Sequence, residues 1–173
     1  MRKNRFIKFI FPIICLLVLL PWPVAYAFEA TAEEDAVQVK AAPDAAMPSF
    51  EAWGQAISGI PSGDLFYIDA SNSAEDVMVT LYLLNPQELV SHYSYLILNV
   101  GVYIETDDGW EWATGTDGHP MPKHVLSMRN GQLSYLLPGY ARYKIGIESG
   151  AVRCHNALSN TGSLSPLLHL EVN

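Results

Sequence analysis

The histidines near the middle of the chain are the first candidates for chemistry. His119 and His124 flank the sequence Pro-Met-Pro-Lys, and Asp117 stands just before them. Imidazole and thioether groups bind copper or zinc, so His119, His124 and Met121 are candidate ligands in an exported protein. The two histidines are separated by two prolines, a spacing that matches no established ligand motif. We therefore favour the alternative that they are ordinary loop and strand residues.

Acidic side chains form a second candidate metal site. Asp107 and Asp108, together with Glu105, could bind calcium through their carboxylate oxygens. An Asp-Asp-Gly sequence is also favoured in tight turns for backbone reasons alone. We favour the turn, so the sequence implies no cofactor, with calcium and copper left as alternatives.

Cys154 and His155 place a thiol beside a base, which is the minimum for a nucleophile. Neighbouring residues of a strand point to opposite faces, so these two side chains should not meet. We expect Cys154 to be buried and to act as a small hydrophobic residue. The sequence contains no nucleophile elbow, zinc-binding helix motif, phosphate loop or dinucleotide fingerprint. A hydrolase or redox enzyme using Cys154 or the two loop histidines is the alternative to a non-catalytic protein.

Aromatic residues are abundant, with nine Tyr and four Trp. Tyr95, Tyr103, Trp110 and Trp112 are candidate ligand contacts, because exposed aromatic rings stack on sugar rings or meet a protein partner. The alternative is that they lie in the core of the fold. If they are exposed, the expected partner is a protein or a glycan at the cell surface.

The segment 94–105, SYLILNVGVYIE, organises the elements that must position these side chains. Its apolar residues alternate with a period of two, which predicts a β-strand with a dry core beneath one face. That face carries Leu96, Leu98, Val100, Val102 and Ile104. The other face, with Tyr95, Tyr103 and Glu105, indicates partial contact with solvent.

The hairpin that follows this strand decides where the tryptophans lie. If Asp108-Gly109 is a two-residue turn, Trp110 and Trp112 share the outer, mixed face and Glu111 points inward. If residues 107–109 form a three-residue loop, the tryptophans join the core face. Burying an unpaired Glu111 would cost several kcal/mol. We therefore predict that the tryptophans pack inward and that Trp112→Ala destabilises the fold by about 3–5 kcal/mol.

The rest of the domain alternates between strand patterns and turns. Strands are predicted at 65–68, 76–84, 140–148 and 164–172, and Asn85-Pro86 marks a helix start. Asn130-Gly131 predicts a type I′ hairpin between 124–128 and 132–137, with Leu126 opposite Tyr135, and Ser149-Gly150 predicts a chain reversal. About eight strands at this spacing predict an all-β fold, an antiparallel β-sandwich.

The stretch LLPGY at 136–140 is similar to the proline-glycine hairpins of immunoglobulin-like and fibronectin-like modules. The resemblance covers a handful of residues. It implies an immunoglobulin-like or related sandwich and brings no functional residue with it.

The N-terminal segment has the layout of a secretory signal peptide. Basic residues precede an apolar run at 9–20, and Ala25-Tyr26-Ala27 supplies small residues for cleavage before Phe28. The alternative is an uncleaved membrane anchor, although the apolar run is shorter than the roughly 20 residues that a membrane-spanning helix needs. Cleavage leaves six basic and eighteen acidic residues, a net charge of −12. Such a negative charge disfavours binding to nucleic acid and to anionic membrane surfaces.

Four segments follow from these patterns. Residues 1–27 are the signal peptide, 28–49 an acidic, Ala/Pro-rich flexible spacer, 50–63 a short docking segment with helical turns, and 64–173 the β-sandwich. We expect a secreted, periplasmic or cell-surface protein that meets a membrane only through an uncleaved N-terminal segment. The predicted function is a non-catalytic module with an interaction or structural role, the alternative being a carbohydrate- or metal-binding module. The oligomeric state is unknown from the sequence.

Overall fold

The structure, a computed structural model, describes residues 30–31, 36–42, 52, 55–155 and 164–173. The predicted signal peptide and most of the predicted spacer lie outside the described residues. Within the described part, no helix is both long enough and apolar enough to cross a membrane.

The described residues form two β-sheets and one short helix, which confirms the predicted all-β sandwich. In chain order the elements are β1 (Ala30–Thr31), β2 (Gln38–Ala41), β3 (Ser58–Ile60), β4 (Gly63–Asp69), β5 (Val77–Leu83), α1 (Pro86–His92), β6 (Tyr93–Thr106), β7 (Gly109–Trp112), β8 (His124–Ser127), β9 (Gln132–Leu137), β10 (Arg142–Cys154) and β11 (Leu168–Val172). The smaller sheet has the order β1-β11-β5-β9. The larger sheet has the order β2-β4-β10-β6-β7, with β3 beside β10 and β8 beside β6.

Strands β6 and β10 form the long central pair of the larger sheet. Their antiparallel pairing runs from Ile104 opposite Tyr143 to Tyr93 opposite Cys154. The predicted alternation of β6 is confirmed, because Leu98 and Val100 are fully buried on its inner face. These residues pack against the inner face of the smaller sheet in one hydrophobic core.

The predicted reversal at Ser149-Gly150 is wrong, because β10 continues through both residues. The pairing with β6 shifts by one residue between Ile147 and Ser149, which is a β-bulge. The extra residue, Glu148, allows both Glu148 and Ser149 to contact outer-face side chains of β6. A Ser-Gly pair is compatible with a bulge as well as with a turn. The bulge forms here because the long partner strand β6 continues alongside.

The predicted hairpin at Asn130-Gly131 is also wrong. Strand β8 pairs with β6, whereas β9 pairs with β5 in the other sheet, so this segment carries the chain between the sheets. Neither Asn130 nor Gly131 has the positive φ that a type I′ turn requires. Leu126 and Tyr135 both face the core, each from its own sheet. Two strands with alternating apolar residues give the same sequence pattern whether they pair in a hairpin or join two different sheets.

Parts of the N-terminal region differ from the expected spacer and docking segment. Strand β1 lies parallel to β11, and β2 pairs with β4. Residues 58–60, expected in a helical turn, form β3 beside β10, with Ile60 buried and Ile57 exposed. These strands are too short for a periodic pattern to be recognised in the sequence. Phe50 and Trp53 of the predicted docking segment lie outside the described residues.

The predicted helix start is confirmed, since α1 begins at Pro86 after Asn85. The side chain of Asn85 does not cap the helix. Its amide donates to the carbonyl of Ser165 at 3.1 Å, and its oxygen accepts from the N–H of Leu167 at 2.8 Å. Asn85 therefore ties the helix to the segment that leads into β11.

A buried tyrosine fixes the corner where the chain passes from β9 to β10. Tyr143 is fully buried, and its hydroxyl donates to the carbonyl of Pro138 at 2.7 Å. The bond holds the residues between the two strands, including Tyr140 with its φ of 57°.

We predict that Tyr143→Phe lowers the free energy of unfolding by about 1 kcal/mol, because it removes this hydrogen bond and leaves the ring in place. Urea denaturation measures the change. Tyr140→Phe is the matched control, since Tyr140 is 71% exposed, and it should leave stability unchanged. Equal stability of the two variants would contradict a structural role for the bond.

Candidate functional site

The outer face of the larger sheet carries a continuous line of cationic and aromatic side chains. Cross-strand pairing aligns one residue from each of five neighbouring strands, and we call them the aromatic row: Lys40 on β2, Tyr67 on β4, Lys144 on β10, Tyr103 on β6 and Trp112 on β7. With about 4.8 Å between neighbouring strands, the row spans about 19 Å.

Both tryptophans lie on the outer face, so the predicted inward packing is wrong. The loop between β6 and β7 consists of Asp107 and Asp108, with Thr106 opposite Gly109. This register places Trp110 opposite Glu105 and Trp112 opposite Tyr103. Gly109 has a φ of 117°, a conformation that glycine adopts without strain.

The cost assigned to Glu111 does not arise in this register. Glu111 lies opposite Ile104 but is exposed, and Ile104 is only partly buried. The hairpin extends beyond the edge of the core at this point. Its inward-facing carboxylate therefore reaches solvent.

Trp112 is anchored to the sheet and to the following loop. Its ring meets Tyr103 edge-to-face with 5.2 Å between centroids, and its indole N–H donates to the carbonyl of Met121 at 2.7 Å. The Nζ of Lys123 lies 4.9 Å from the ring centroid. Gly101 leaves room for the ring, because a Cβ there would lie 3.0 Å from it. Trp112 thus serves as a structural support of the row.

Trp110 lies over the centre of the row. Its ring centroid is 5.6 Å from that of Tyr67 and 5.3 Å from the Nζ of Lys144. Lys144 is also 5.3 Å from the Tyr103 centroid and pairs with Asp64 at 3.1 Å. The ammonium of Lys144 is therefore held between two aromatic rings and a carboxylate, an arrangement favourable to a cation.

Most charged groups of this face form ion pairs with one another. Arg142 bridges Asp69 at 3.0 Å and Glu105 at 3.3 Å, and Lys123 pairs with Glu148 at 2.9 Å. Hydrogen bonds from Ser71 and the charge of Arg142 lower the pKa of Asp69. The bond from Lys123 lowers the pKa of Glu148.

Two open pockets flank Trp110. One is bordered by side chains of β2, β4, β6 and β10, the charged ones being Lys40, Asp69, Glu105 and Arg142. The other is bordered by Asp64, Tyr103, Lys144 and Glu148. The ring of Trp110 forms a wall shared by both pockets.

The structure brings together three of the four predicted ligand contacts. Tyr103, Trp110 and Trp112 share the outer face at one end of β6. Tyr95 lies on the same face but is 37% exposed near the other end of the strand, opposite Arg153. At about 3.4 Å per residue, it is about 27 Å from Tyr103.

The predicted metal ligands are divided between two places. Asp107 and Asp108 form the hairpin loop, whereas His119 and His124 border a pocket next to Tyr135 and Met121. His124 meets the Tyr135 ring edge-to-face at 5.2 Å. Among the described residues, no group of three or more His, Cys, Asp or Glu side chains is arranged to hold a metal ion.

Cys154 and His155 occupy different environments. Cys154 is buried, and its Sγ lies 3.5 Å from the carbonyl of Ala52 as a hydrogen-bond donor. His155 is exposed, with its Nε2 2.9 Å from the carbonyl of Val90. The thiol and the imidazole are therefore held by separate backbone carbonyls.

The candidate residues recognised in the sequence did not include Arg142, Lys144 or their partners on β4. Tyr67, Asp64 and Asp69 precede β10 by many residues, and only the β4–β10 register brings them onto the same face. A signal was present in the alternation of β4, where Phe66 and Ile68 face inward and Tyr67 and Asp69 face outward.

Comparisons with known proteins add no further constraint on this site. No protein-family model matches the sequence, and a search of curated proteins finds no match.

The two tryptophans should differ in how much each contributes to the stability of the fold. We predict that Trp112→Ala lowers the free energy of unfolding by about 2 kcal/mol, because it removes a hydrogen bond, a ring contact and the cover of Gly101. Trp110→Ala should cost about 1 kcal/mol or less, since it removes ring and cation contacts at the surface. Urea denaturation of both variants measures the difference. A loss of about 3–5 kcal/mol for Trp112→Ala would restore the core interpretation.

The tyrosines predict how stability changes at alkaline pH. Burial, with the hydrogen bond to Glu148, raises the pKa of Tyr103 to about 12, and burial raises the pKa of Tyr143 to about 12. An unfolded tyrosine ionises at about pH 10. The unfolded state therefore loses protons first, and stability present below about pH 10 should be lost as the pH rises through about 12. The urea midpoint of Tyr103→Phe should fall less steeply than that of the parent chain, and equal slopes would contradict the assignment.

Proposed function

We propose that this chain is an exported, non-catalytic interaction module that binds a partner at the cell surface through the outer face of its larger sheet. The observation that carries this proposal is the aromatic row with Trp110 over its centre. Aromatic residues and arginine dominate the binding energy of known interfaces. Two tryptophans and two tyrosines lie together on this face as contacting pairs.

The ion pairing of the charged groups supports a role of this face in binding a partner. Asp69, Glu105 and Arg142 hold one another, and Lys144 is held by Asp64. General acid or base catalysis needs a group that gains and loses a proton near neutral pH. The carboxylates of Asp69 and Glu148, whose hydrogen-bond and ion-pair partners lower their pKa values, suit fixed recognition better.

An immunoglobulin-like architecture is part of the proposal. Tyr143 follows the start of β10, and its hydroxyl bonds to the carbonyl of Pro138 five residues earlier. A tyrosine placed in this way at a crossing between sheets is the tyrosine corner of immunoglobulin-like sandwiches. The chain also crosses between the two sheets repeatedly, as Greek-key sandwiches do.

Export is inferred from the N-terminal sequence. The basic residues, the apolar run and the Ala25-Tyr26-Ala27 site support secretion or release into a periplasm. The acidic charge that remains after cleavage suits a soluble domain outside the cytoplasm. A module with a recognition face and a preceding acidic segment fits a role at the cell surface.

We predict that the purified chain co-sediments with cell envelopes isolated from the organism that encodes it. Trp110→Ala should weaken this binding at least about tenfold, as the loss of a central aromatic contact does in other interfaces. Tyr95→Ala is the matched control, because Tyr95 is an exposed aromatic residue of the same strand face but lies far from the row. Binding that is equal in the parent chain and Trp110→Ala, or no binding at all, would contradict the proposal.

A further inference from the structure

We infer that the ligand of this outer face is an uncharged oligosaccharide laid across the strands over Trp110. This inference rests on the proposed function and gives the chemical class of its partner. Three observations support it, namely the charge balance of the face, the form of its aromatic surface and its length.

The face is electrically balanced although the chain is acidic. The chain has a formal net charge of −8. Around the row, four basic residues accompany four acidic ones: Lys40, Lys123, Arg142 and Lys144 with Asp64, Asp69, Glu105 and Glu148. Neither an anionic nor a cationic ligand finds an excess of opposite charge on this face. An uncharged ligand matches it.

The ion pairs leave hydrogen-bonding capacity for hydroxyl groups. Arg142 uses its Nε and one terminal nitrogen in its two ion pairs, and a guanidinium carries five N–H groups. Each carboxylate offers about four lone-pair sites. A charged ligand would add an unpaired charge to these balanced pairs, whereas hydroxyls can donate and accept alongside them. Paired Arg, Asp and Glu side chains therefore suit a polyhydroxylated ligand.

The aromatic surface supplies the apolar half of sugar recognition. One face of a pyranose ring presents C–H groups, which carry partial positive charge and pack on the electron-rich face of an aromatic ring. Trp110 and Tyr67 are both half-buried, with 5.6 Å between their centroids. Charged groups border both rings, so hydroxyls at the edge of a stacked sugar would meet polar partners.

The length of the face indicates more than one sugar unit. Pockets lie on both sides of Trp110, one towards β2 and the other towards the bulge at Glu148. The row extends over about 19 Å across five strands. A monosaccharide would cover only the centre of this surface, so we assign it to an oligosaccharide chain.

The experiment uses the envelope co-sedimentation assay with envelopes pretreated in two ways. Metaperiodate cleaves the vicinal diols of glycans, and proteinase K removes envelope proteins. We expect periodate to abolish the Trp110-dependent binding and proteinase K to leave it intact. Binding lost to proteinase K but resistant to periodate, or resistant to both, would overturn the oligosaccharide and leave the interaction module standing. Absence of Trp110-dependent binding to untreated envelopes would instead overturn the proposed function.

Competition separates uncharged from anionic glycans and decides the case where both treatments abolish binding. Mannan, amylose and xylan are the uncharged competitors, and alginate and polygalacturonate are the anionic ones. At least one uncharged polysaccharide should reduce binding of the parent chain about tenfold, with the anionic ones less effective at equal ionic strength. Stronger competition by the anionic polysaccharides, or none by any uncharged one, would overturn the inference. Tyr95→Ala should behave like the parent chain throughout.

Discussion

The antiparallel pairing of β6 with β10 is the constraint on which the rest of the structure depends. The inner faces of both strands supply the core, and the free edge of each strand accepts two shorter strands. Strands β4 and β3 line the edge of β10, and β7 and β8 line the edge of β6. The register of this one ladder therefore sets both the packing inside and the alignment of side chains outside.

The long, strongly periodic strand and the helix start could be predicted from the sequence, whereas two predicted chain reversals were wrong. The alternation of β6 and the Asn85-Pro86 helix start both appear in the structure because each rests on local physics. Asn130-Gly131 satisfies the local rules of a hairpin equally well, but β8 and β9 find better partners in different sheets. Ser149-Gly150 continues within β10 because β6 extends alongside it. Long-range pairing decided both cases, and no short window of sequence contains that information.

Part of the candidate site was predicted in its residues but not in its arrangement. Tyr103, Trp110 and Trp112 were recognised by type, yet their burial depended on one residue of register in the β6–β7 hairpin. Both registers considered gave Gly109 a place in the loop, whereas the loop is Asp107-Asp108 alone. The expected cost of burying Glu111 favoured the wrong register. The cost does not arise, because the hairpin extends beyond the core and Glu111 reaches solvent. Tyr67 and Asp64 could be joined to the site only through the β4–β10 register.

The separation of β6 and β10 along the chain has a consequence for folding kinetics. Tyr103 and Glu148, which meet across this ladder, are 45 residues apart, and Ser94 and Cys154 are 60 apart. A structure dominated by such distant contacts has a high contact order and folds in milliseconds to seconds. During synthesis, which starts at the N-terminus, the edge and the apolar face of β6 stay exposed until β10 has been made. The outer face of these strands is consequently among the last surfaces to form.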